Sequence, residues 1–324
     1  MLLTAAPKLV LKSGANSSMP PMADHPKLVT ESGFWAAVRL TRPWNVLMIV
    51  VAMWLILESL LTPELAGPDS VWVFALGTVA MAALAAGANV INDYFDVAED
   101  RVNRPDRALV GRVITRRQTM ALNYLLTALA IAATAAVCVL SKSWWPMVWN
   151  TLLGTLLWGY SPWFKRRFLR GNVVIALSVG QLPLWCLLLV GTDVDWKAWL
   201  ATLDGFVLLG YVVLSTYVTF LREMTKDWQD ARGDGEAGYD TLPVRWGDKR
   251  TQSLLHLLHG LGWVLMLAAW WASWQALSRP IAPLFFILPY AGVHTQLLRG
   301  RIGSVSAWQK LTLAGGLVFL AGLI

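Results

Sequence analysis

Two stretches of this 324-residue chain hold more carboxylate than their apolar surroundings can carry without a counter-charge. The first, NVINDYFDVAED, runs from Asn89 to Asp100 at the end of a hydrophobic segment. At 3.6 residues per turn, Asn89, Asn92, Asp93, Asp96 and Asp100 fall within an arc of roughly 100° on one helix face. The second, REMTKDWQDARGD, repeats the spacing: Asp227, Asp230 and Asp234 stand three and then four apart, as Asp93, Asp96 and Asp100 do. Glu223 joins them within an arc of roughly 60°. Two such clusters on one face repel each other unless they share cations. Carboxylates coordinate Mg²⁺, Mg²⁺ bridges phosphate oxygens, and Arg or Lys completes the neutralisation, so the pair suits two ions around one diphosphate.

Basic and aromatic residues follow each cluster. Arg101, Arg104, Arg107 and Arg112 come directly after the first. Arg104 and Arg107 flank Pro105 and Asp106 in a constrained turn, which favours a phosphate contact; Arg116 and Arg117 read as topology residues. In WGYSPWFKRRFLRGN, Tyr160 and Lys165 emerge beside the carboxylates. The phenol can hydrogen-bond a phosphate or set its ring against a cation, and Lys165 is either a phosphate contact or a topology residue. In LTRPWNVL, Pro43 suits a first helical turn, Arg42 sits at headgroup level as a candidate substrate contact, and Asn45 is an interhelical hydrogen-bond partner or a site contact. His256 and His259 lie one turn apart without a third ligand and read as packing residues. Cys138 and Cys186 read as apolar core.

The elements that must position these residues are membrane helices. The chain is 56% hydrophobic and 15% charged, with mean hydropathy +0.51, outside the range of water-soluble domains. Apolar stretches long enough for about 30 Å of hydrocarbon run approximately over 44–61, 71–92, 120–140, 144–160, 173–192, 202–221, 254–275, 280–298 and 307–324, nine in all. Of the 27 Lys and Arg, 23 fall in the N-terminal tail and in the loops after the second, fourth, sixth and eighth stretches. Positive charge stays on the cytoplasmic side, so the N-terminus and both acidic clusters are expected there and the C-terminus opposite. Residues 1–38 read as a flexible cytoplasmic tail and 39–324 as one intramembrane domain. The first 31 residues contain no apolar core long enough for a secretory signal. Trp72, Trp144, Trp145, Trp163, Trp196 and Trp199 are expected in an interfacial belt. The net charge of +7 is read as topology plus phosphate handling, not as nucleic-acid binding, and no protein partner is inferred.

A diphosphate site that opens into a bilayer takes a diphosphate with a hydrophobic tail, and a polyprenyl diphosphate fits. Neutralising the diphosphate makes it a better leaving group and favours breaking the allylic C–O bond. Aromatic faces stabilise the allylic cation and the bundle shields it from water until an acceptor captures it.

NDYFDVAED resembles the first signature of the UbiA superfamily of intramembrane prenyltransferases, Asn-Asp-x-x-Asp-x-x-x-Asp, and KDWQDARGD resembles its second aspartate motif. The NRPDR run, YSPWFK followed by GN, and TLPVRWG extend the likeness over nearly all the chain after residue 39. The resemblance implies an all-α bundle of nine membrane helices around a central cavity, with two Mg²⁺ ions. It implies Asn92, Asp96, Asp230 and Asp234 as metal ligands supported by Asp93, Asp100 and Asp227, with Asp96, Asp230, Tyr160 and Lys165 central to catalysis. Arg104, Arg107, Lys165, Tyr160 and Lys226 would be the diphosphate set. The RALVGR run departs from the Pro-Leu-Pro-Ser-Gly-Arg of many members, which leaves Arg112 open as a contact. The second motif is most similar to the branch that prenylates geranylgeranylglyceryl phosphate; an aromatic quinone precursor is the alternative acceptor. A membrane terpene cyclase sharing the fold and a cation transporter are the rival classes. The clustering of acidic groups at one membrane face, with almost no ionisable residues inside the helices, argues against the transporter.

Overall fold

The computed structural model describes residues 32–61, 69–103, 108–190, 195–277, 281 and 283–323, and among these the architecture is all-helical without a strand. Helix α1 (Gly33–Leu40) starts where the Ser32 hydroxyl accepts from the Trp35 N–H, and it buries Ala36 and Leu40. Next come α2 (Pro43–Ile56), with Pro43 in its first turn and a π-helical extension to Leu61, and α3 (Ser70–Phe95). Short α4 (Val97–Asn103) leads to α5 (Arg116–Ser141), which opens on a capping box between Thr115 and Gln118. α6 (Trp145–Trp158) ends in a π-helical turn, Tyr160–Phe164. The second half holds α7 (Arg170–Gly180), α8 (Leu182–Val190), α9 (Trp196–Leu200), α10 (Leu203–Glu236), α11 (Leu242–Trp246), α12 (Asp248–Leu277), α13 (Leu284–Leu298) and α14 (Ile302–Ala321).

Six of these helical stretches are long and apolar enough to cross a membrane: Pro43–Leu61, Ser70–Phe95, Arg116–Ser141, Arg170–Val190, Leu203–Glu236 and Asp248–Ala272. The other three apolar stretches of the sequence are helical too, as α6, α13 and α14, but of 14, 15 and 20 residues. The chain is an integral, multi-pass membrane protein. Exposed Trp72, Trp144, Trp145 and Trp163 fit the expected belt, whereas Trp199 is only 7% exposed and packs into the core. The α9 turn folds it inward against the start of α10, where the Gly205 position leaves no room for a side chain beside the Trp199 carbonyl. The Trp196 side chain and the tail, residues 1–31, lie outside the described residues.

Close backbone approaches set the spacing of the bundle. A Cβ at Gly180 would overlap the Thr216 side chain and lie 3.2 Å from its Cα, so α7 and α10 touch there. In the small-residue run of α3, the Gly87 carbonyl accepts from Asn123 Nδ2 of α5 at 2.9 Å. The stretch over 173–192 is two helices, broken at Gln181, whose Oε1 accepts the Trp149 indole N–H at 2.6 Å. Fully buried Trp185 follows the break and donates to the Gly77 carbonyl at 3.2 Å. At 1.5 Å per residue the 34 residues of α10 extend about 51 Å against about 30 Å of hydrocarbon. Its acidic last turns therefore stand at or beyond the membrane surface.

Candidate active site

Four parts of the chain build the site. α3 carries Asn92 and Asp93 in its last turn and stops at Phe95; Asp96 is its C-cap at φ −86°, ψ 13°, and α4 begins at Val97. The single helix face expected from Asn89 to Asp100 is thus bent at Asp96, although the Asp100 N–H still donates to the Asp96 carbonyl at 2.9 Å. As α4 packs against α10, the bend turns Glu99 inward to 6% exposure and leaves Asp100 half-buried. Asn89 turns to the backbone, its Nδ2 donating to the Thr41 carbonyl at 3.0 Å. That bond anchors the turn holding Arg42, whose φ of 53° lies in the left-handed region that non-glycine residues occupy at a cost. From there Arg42 Nη2 reaches Asp93 Oδ1 at 2.6 Å.

The π-helical turn after α6 supplies the second part. The Lys165 N–H donates to the Tyr160 carbonyl at 2.8 Å and closes the turn. Ser161 Oγ donates to Asn92 Oδ1 at 3.1 Å, and Lys165 Nζ meets Asp96 Oδ2 at 2.8 Å. Gly171 packs on this turn: a Cβ there would lie 3.0 Å from Lys165 Cα and 3.2 Å from the Tyr160 ring. Burial disfavours the Lys165 ammonium, but the adjacent Asp96 outweighs it and holds the pKa above the usual lysine value. The third part is Asn172 in the first turn of α7, with Nδ2 donating to Asp227 Oδ2 at 2.8 Å.

The fourth part is the end of α10. Glu223, 4% exposed, accepts from both Arg222 Nη1 and Lys226 Nζ at 2.7 Å each. Asp227 and Asp230 are half-buried, and Asp234 is 3% exposed. Beyond it, the Tyr239 ring lies under Lys165 and Arg166, 5.8 and 5.3 Å from its centre, and the Asp240 N–H donates to the Arg166 carbonyl at 3.1 Å.

These parts converge. The charged groups acting on Lys165 are Asp96, Glu99 and Asp234, from both acidic runs, and those acting on Tyr160 include Glu223, Asp227 and Asp96. Of the residues expected at the site, Arg42, Asn92, Asp93, Asp96, Tyr160, Lys165, Lys226, Asp227, Asp230 and Asp234 come together. Asp100 takes part through its field on Arg42. Lys226 is held on Glu223. Asn45 is exposed on the first turn of α2, and Arg104 and Arg107 lie outside the described residues. Glu99, Ser161, Asn172 and Tyr239 were not expected. For Asn172 a signal existed, a polar residue seven positions after Lys165 at the start of an apolar helix.

The donor set fits Mg²⁺. Asp96 Oδ1 and Glu99 Oε2 are buried without a hydrogen-bond partner, the state of acceptors awaiting a cation. Among the described residues no three Asp, Glu, His or Cys side chains converge on one point. An ion here would be held by one or two carboxylates and complete its shell with water and phosphate oxygens, the usual habit of Mg²⁺.

The fold and site define a class, a polytopic helical membrane protein whose two acidic runs and basic residues meet at one end of the bundle. Within that class, the chain belongs to the UbiA prenyltransferase family, whose sequence profile matches residues 46–314. It is similar to the digeranylgeranylglyceryl phosphate synthase of Halobacterium salinarum, 36% identical over 170 residues, or 51% of this chain and 54% of that one. The match thus spans about half the length of that relative. The synthase of the same name from Thermococcus kodakarensis is 32% identical over 67% of this chain and 71% of its own, and that of Hyperthermus butylicus 27% over 89% and 96%. Among solved structures, one of a digeranylgeranylglyceryl phosphate synthase aligns with TM-score 0.61 at 20% identity, over 90% of this chain and 99% of that one. A UbiA homolog from Archaeoglobus fulgidus bound to GPP and Mg²⁺ aligns with TM-score 0.57 at 17% identity, over 88% and 99%.

Proposed function

We propose that this chain is a Mg²⁺-dependent intramembrane prenyltransferase that moves a geranylgeranyl group from its diphosphate to geranylgeranylglyceryl phosphate. The observation that carries the reading is the convergence of both acidic runs on the Tyr160–Lys165 turn. Two ions are expected, one on the Asn92 and Asp96 side and one on the Asp230 and Asp234 side. Bound Mg²⁺ would neutralise the diphosphate oxygens and so favour its departure. Lys165 and Arg42, with Arg104 and Arg107, bind the leaving diphosphate, which departs with the electron pair of the allylic C–O bond. The Tyr160 ring faces the cationic carbon. The acceptor hydroxyl oxygen forms the new C–O bond, and its proton passes to water or to the departing diphosphate. The site faces the cytoplasm in this reading, which the bias of 23 Lys and Arg toward that side supports. The names of the relatives support the acceptor, and the Archaeoglobus complex supports the donor and the metal.

The test is to incubate the purified chain with labelled geranylgeranyl diphosphate, Mg²⁺ and a panel of lipid and aromatic acceptors, then identify the product by mass. A digeranylgeranyl glycerophosphate ether is expected, and Asp96→Ala or Asp230→Ala should abolish Mg²⁺-dependent diphosphate release in a folded protein. Unchanged turnover in either variant sinks the assignment. A prenylated aromatic replaces the acceptor, and a cyclic hydrocarbon formed without acceptor replaces transfer with cyclisation.

A further inference from the structure

Where α11 turns into α12, a recess of about 350 Å³ opens at the surface, lined by Trp246, Lys249, Arg250 and Ser253. The turn is one residue, Gly247, whose φ of 75° lies in the left-handed region that favours glycine. It sets the last ring of α11 beside the first turn of α12. Phe168, from the loop before α7, packs on Trp246 with ring centres 5.4 Å apart and helps to hold the indole in place.

The donors of the recess are uncommitted. Of the carboxylates nearest in sequence, Asp248 accepts from the Trp228 indole N–H at 3.1 Å, and Asp240 accepts from Arg245 Nε at 2.7 Å. Among the described residues no acidic side chain pairs with Lys249 or Arg250, and both are exposed. The Trp246 indole N–H likewise has no acceptor among them, on a residue 42% exposed. Ser253 Oγ donates to the Lys249 carbonyl at 3.0 Å, which commits its proton. Two cations and an indole N–H thus line a recess that holds no carboxylate, and that combination suits an anion.

Membrane topology alone places positive charge at this end of the bundle, but the recess continues into an apolar track. The 30 residues of α12 extend about 45 Å against about 30 Å of hydrocarbon, so its first turns stand among lipid headgroups. Below Lys249, Arg250 and Ser253 on the same side of the helix come Leu257, Leu261 and Val264, which are 61%, 50% and 64% exposed. All six fall within an arc of about 120°. A soluble phosphate would use the donors alone, whereas a lipid with an anionic head uses the donors and the track together. A zwitterionic head would bring its own ammonium against Lys249 and Arg250. We propose that the α11–α12 recess binds the phosphate head of an anionic phospholipid, with the acyl chains along Leu257, Leu261 and Val264. The inference does not depend on the donor or acceptor assigned above.

The test is native mass spectrometry of the full chain titrated with phosphatidylglycerol or with phosphatidylcholine of the same acyl chains, reading the affinity of the tightest-bound lipid. Phosphatidylglycerol should bind roughly ten- to thirtyfold more tightly. Lys249→Gln with Arg250→Gln should bring it to the level of phosphatidylcholine. Arg116→Gln with Arg117→Gln removes the same charge from exposed positions elsewhere and should leave the preference intact. Thermal unfolding should be unchanged in both double variants, since the altered side chains are at the surface. Glycerol 3-phosphate at equal concentration should displace little of the lipid. Equal affinities for the two lipids overturn the proposal without recourse to any variant. So does a preference that survives in the Lys249 and Arg250 variant, or one that falls equally in both variants, which would mean a diffuse surface field. Displacement by glycerol 3-phosphate would make the recess a site for soluble phosphates and overturn the lipid.

Discussion

Replacing Lys165 by methionine should tighten divalent-cation binding while abolishing diphosphate release. Lys165 Nζ lies 2.8 Å from Asp96 Oδ2, with 22% and 13% of the two side chains exposed. A divalent ion arriving at Asp96 has to displace that ammonium or share the carboxylate with it. Unit charges 4 Å apart attract by about 4 kcal/mol at an effective dielectric of 20. Desolvation and residual screening offset most of this, leaving a competition of about 1–2 kcal/mol. Its removal corresponds to roughly five- to thirtyfold tighter cation binding. In the cation-free protein the same change leaves Asp96 with neither oxygen partnered, since Oδ1 already has no donor. The expected cost there is about 1–3 kcal/mol of stability, regained by mass action as the ion binds. Mn²⁺ titration followed by electron paramagnetic resonance reads the affinity. Thermal unfolding with chelator and with Mg²⁺ reads the stability, and labelled diphosphate release reads the activity. Cation affinity that is unchanged or weaker in Lys165→Met would refute the reasoning, because the ammonium would then shape the site instead of opposing its charge.

Glu99→Gln should weaken Mn²⁺ binding about five- to tenfold, from the loss of one charge beside Asp234, without lowering thermal stability in chelator, because the carboxylate it removes is buried with Oε2 unpartnered; equal affinity to the parent would count against a role for Glu99 at the ions. Gly180→Val forces methyl groups into Thr216 at the α7–α10 contact and should cost about 1–3 kcal/mol in thermal unfolding. It should also slow diphosphate release, since α7 carries Asn172 to Asp227. An unchanged melting temperature would show that the two helices separate freely.

The acidic runs were legible because helix periodicity converts three-and-four spacing directly into a shared face, and α10 keeps that periodicity unbroken from Leu203 to Glu236. The membrane helices were legible from length and hydropathy. The bend at Asp96 was not, because neither Pro nor Gly marks it; it arises from α4 packing against α10, a contact that joins residues far apart in sequence. Its result, Glu99 inside with Asp100 half-buried, inverts the order that a continuous helix would give. The break at Gln181 did carry a mark, Pro183 two residues on, which the unbroken apolar run concealed.

Pairing is harder to read than placement, for a physical reason. Periodicity states which side chains share a face, but the partner of a buried charge depends on which helices touch. Arg42 and Lys165 read as phosphate or topology residues because positive charge near a headgroup satisfies either role. The structure places both on carboxylates, Asp93 and Asp96. A carboxylate pair in a partly desolvated site repels strongly enough that a cation or a bound proton has to offset it. Arg42, Lys165 and Lys226 fill that need from within the chain, each bound to one acidic residue of the two runs. The two roles are therefore successive: a basic residue that neutralises a carboxylate before an ion arrives is already in position for the phosphate that the ion brings.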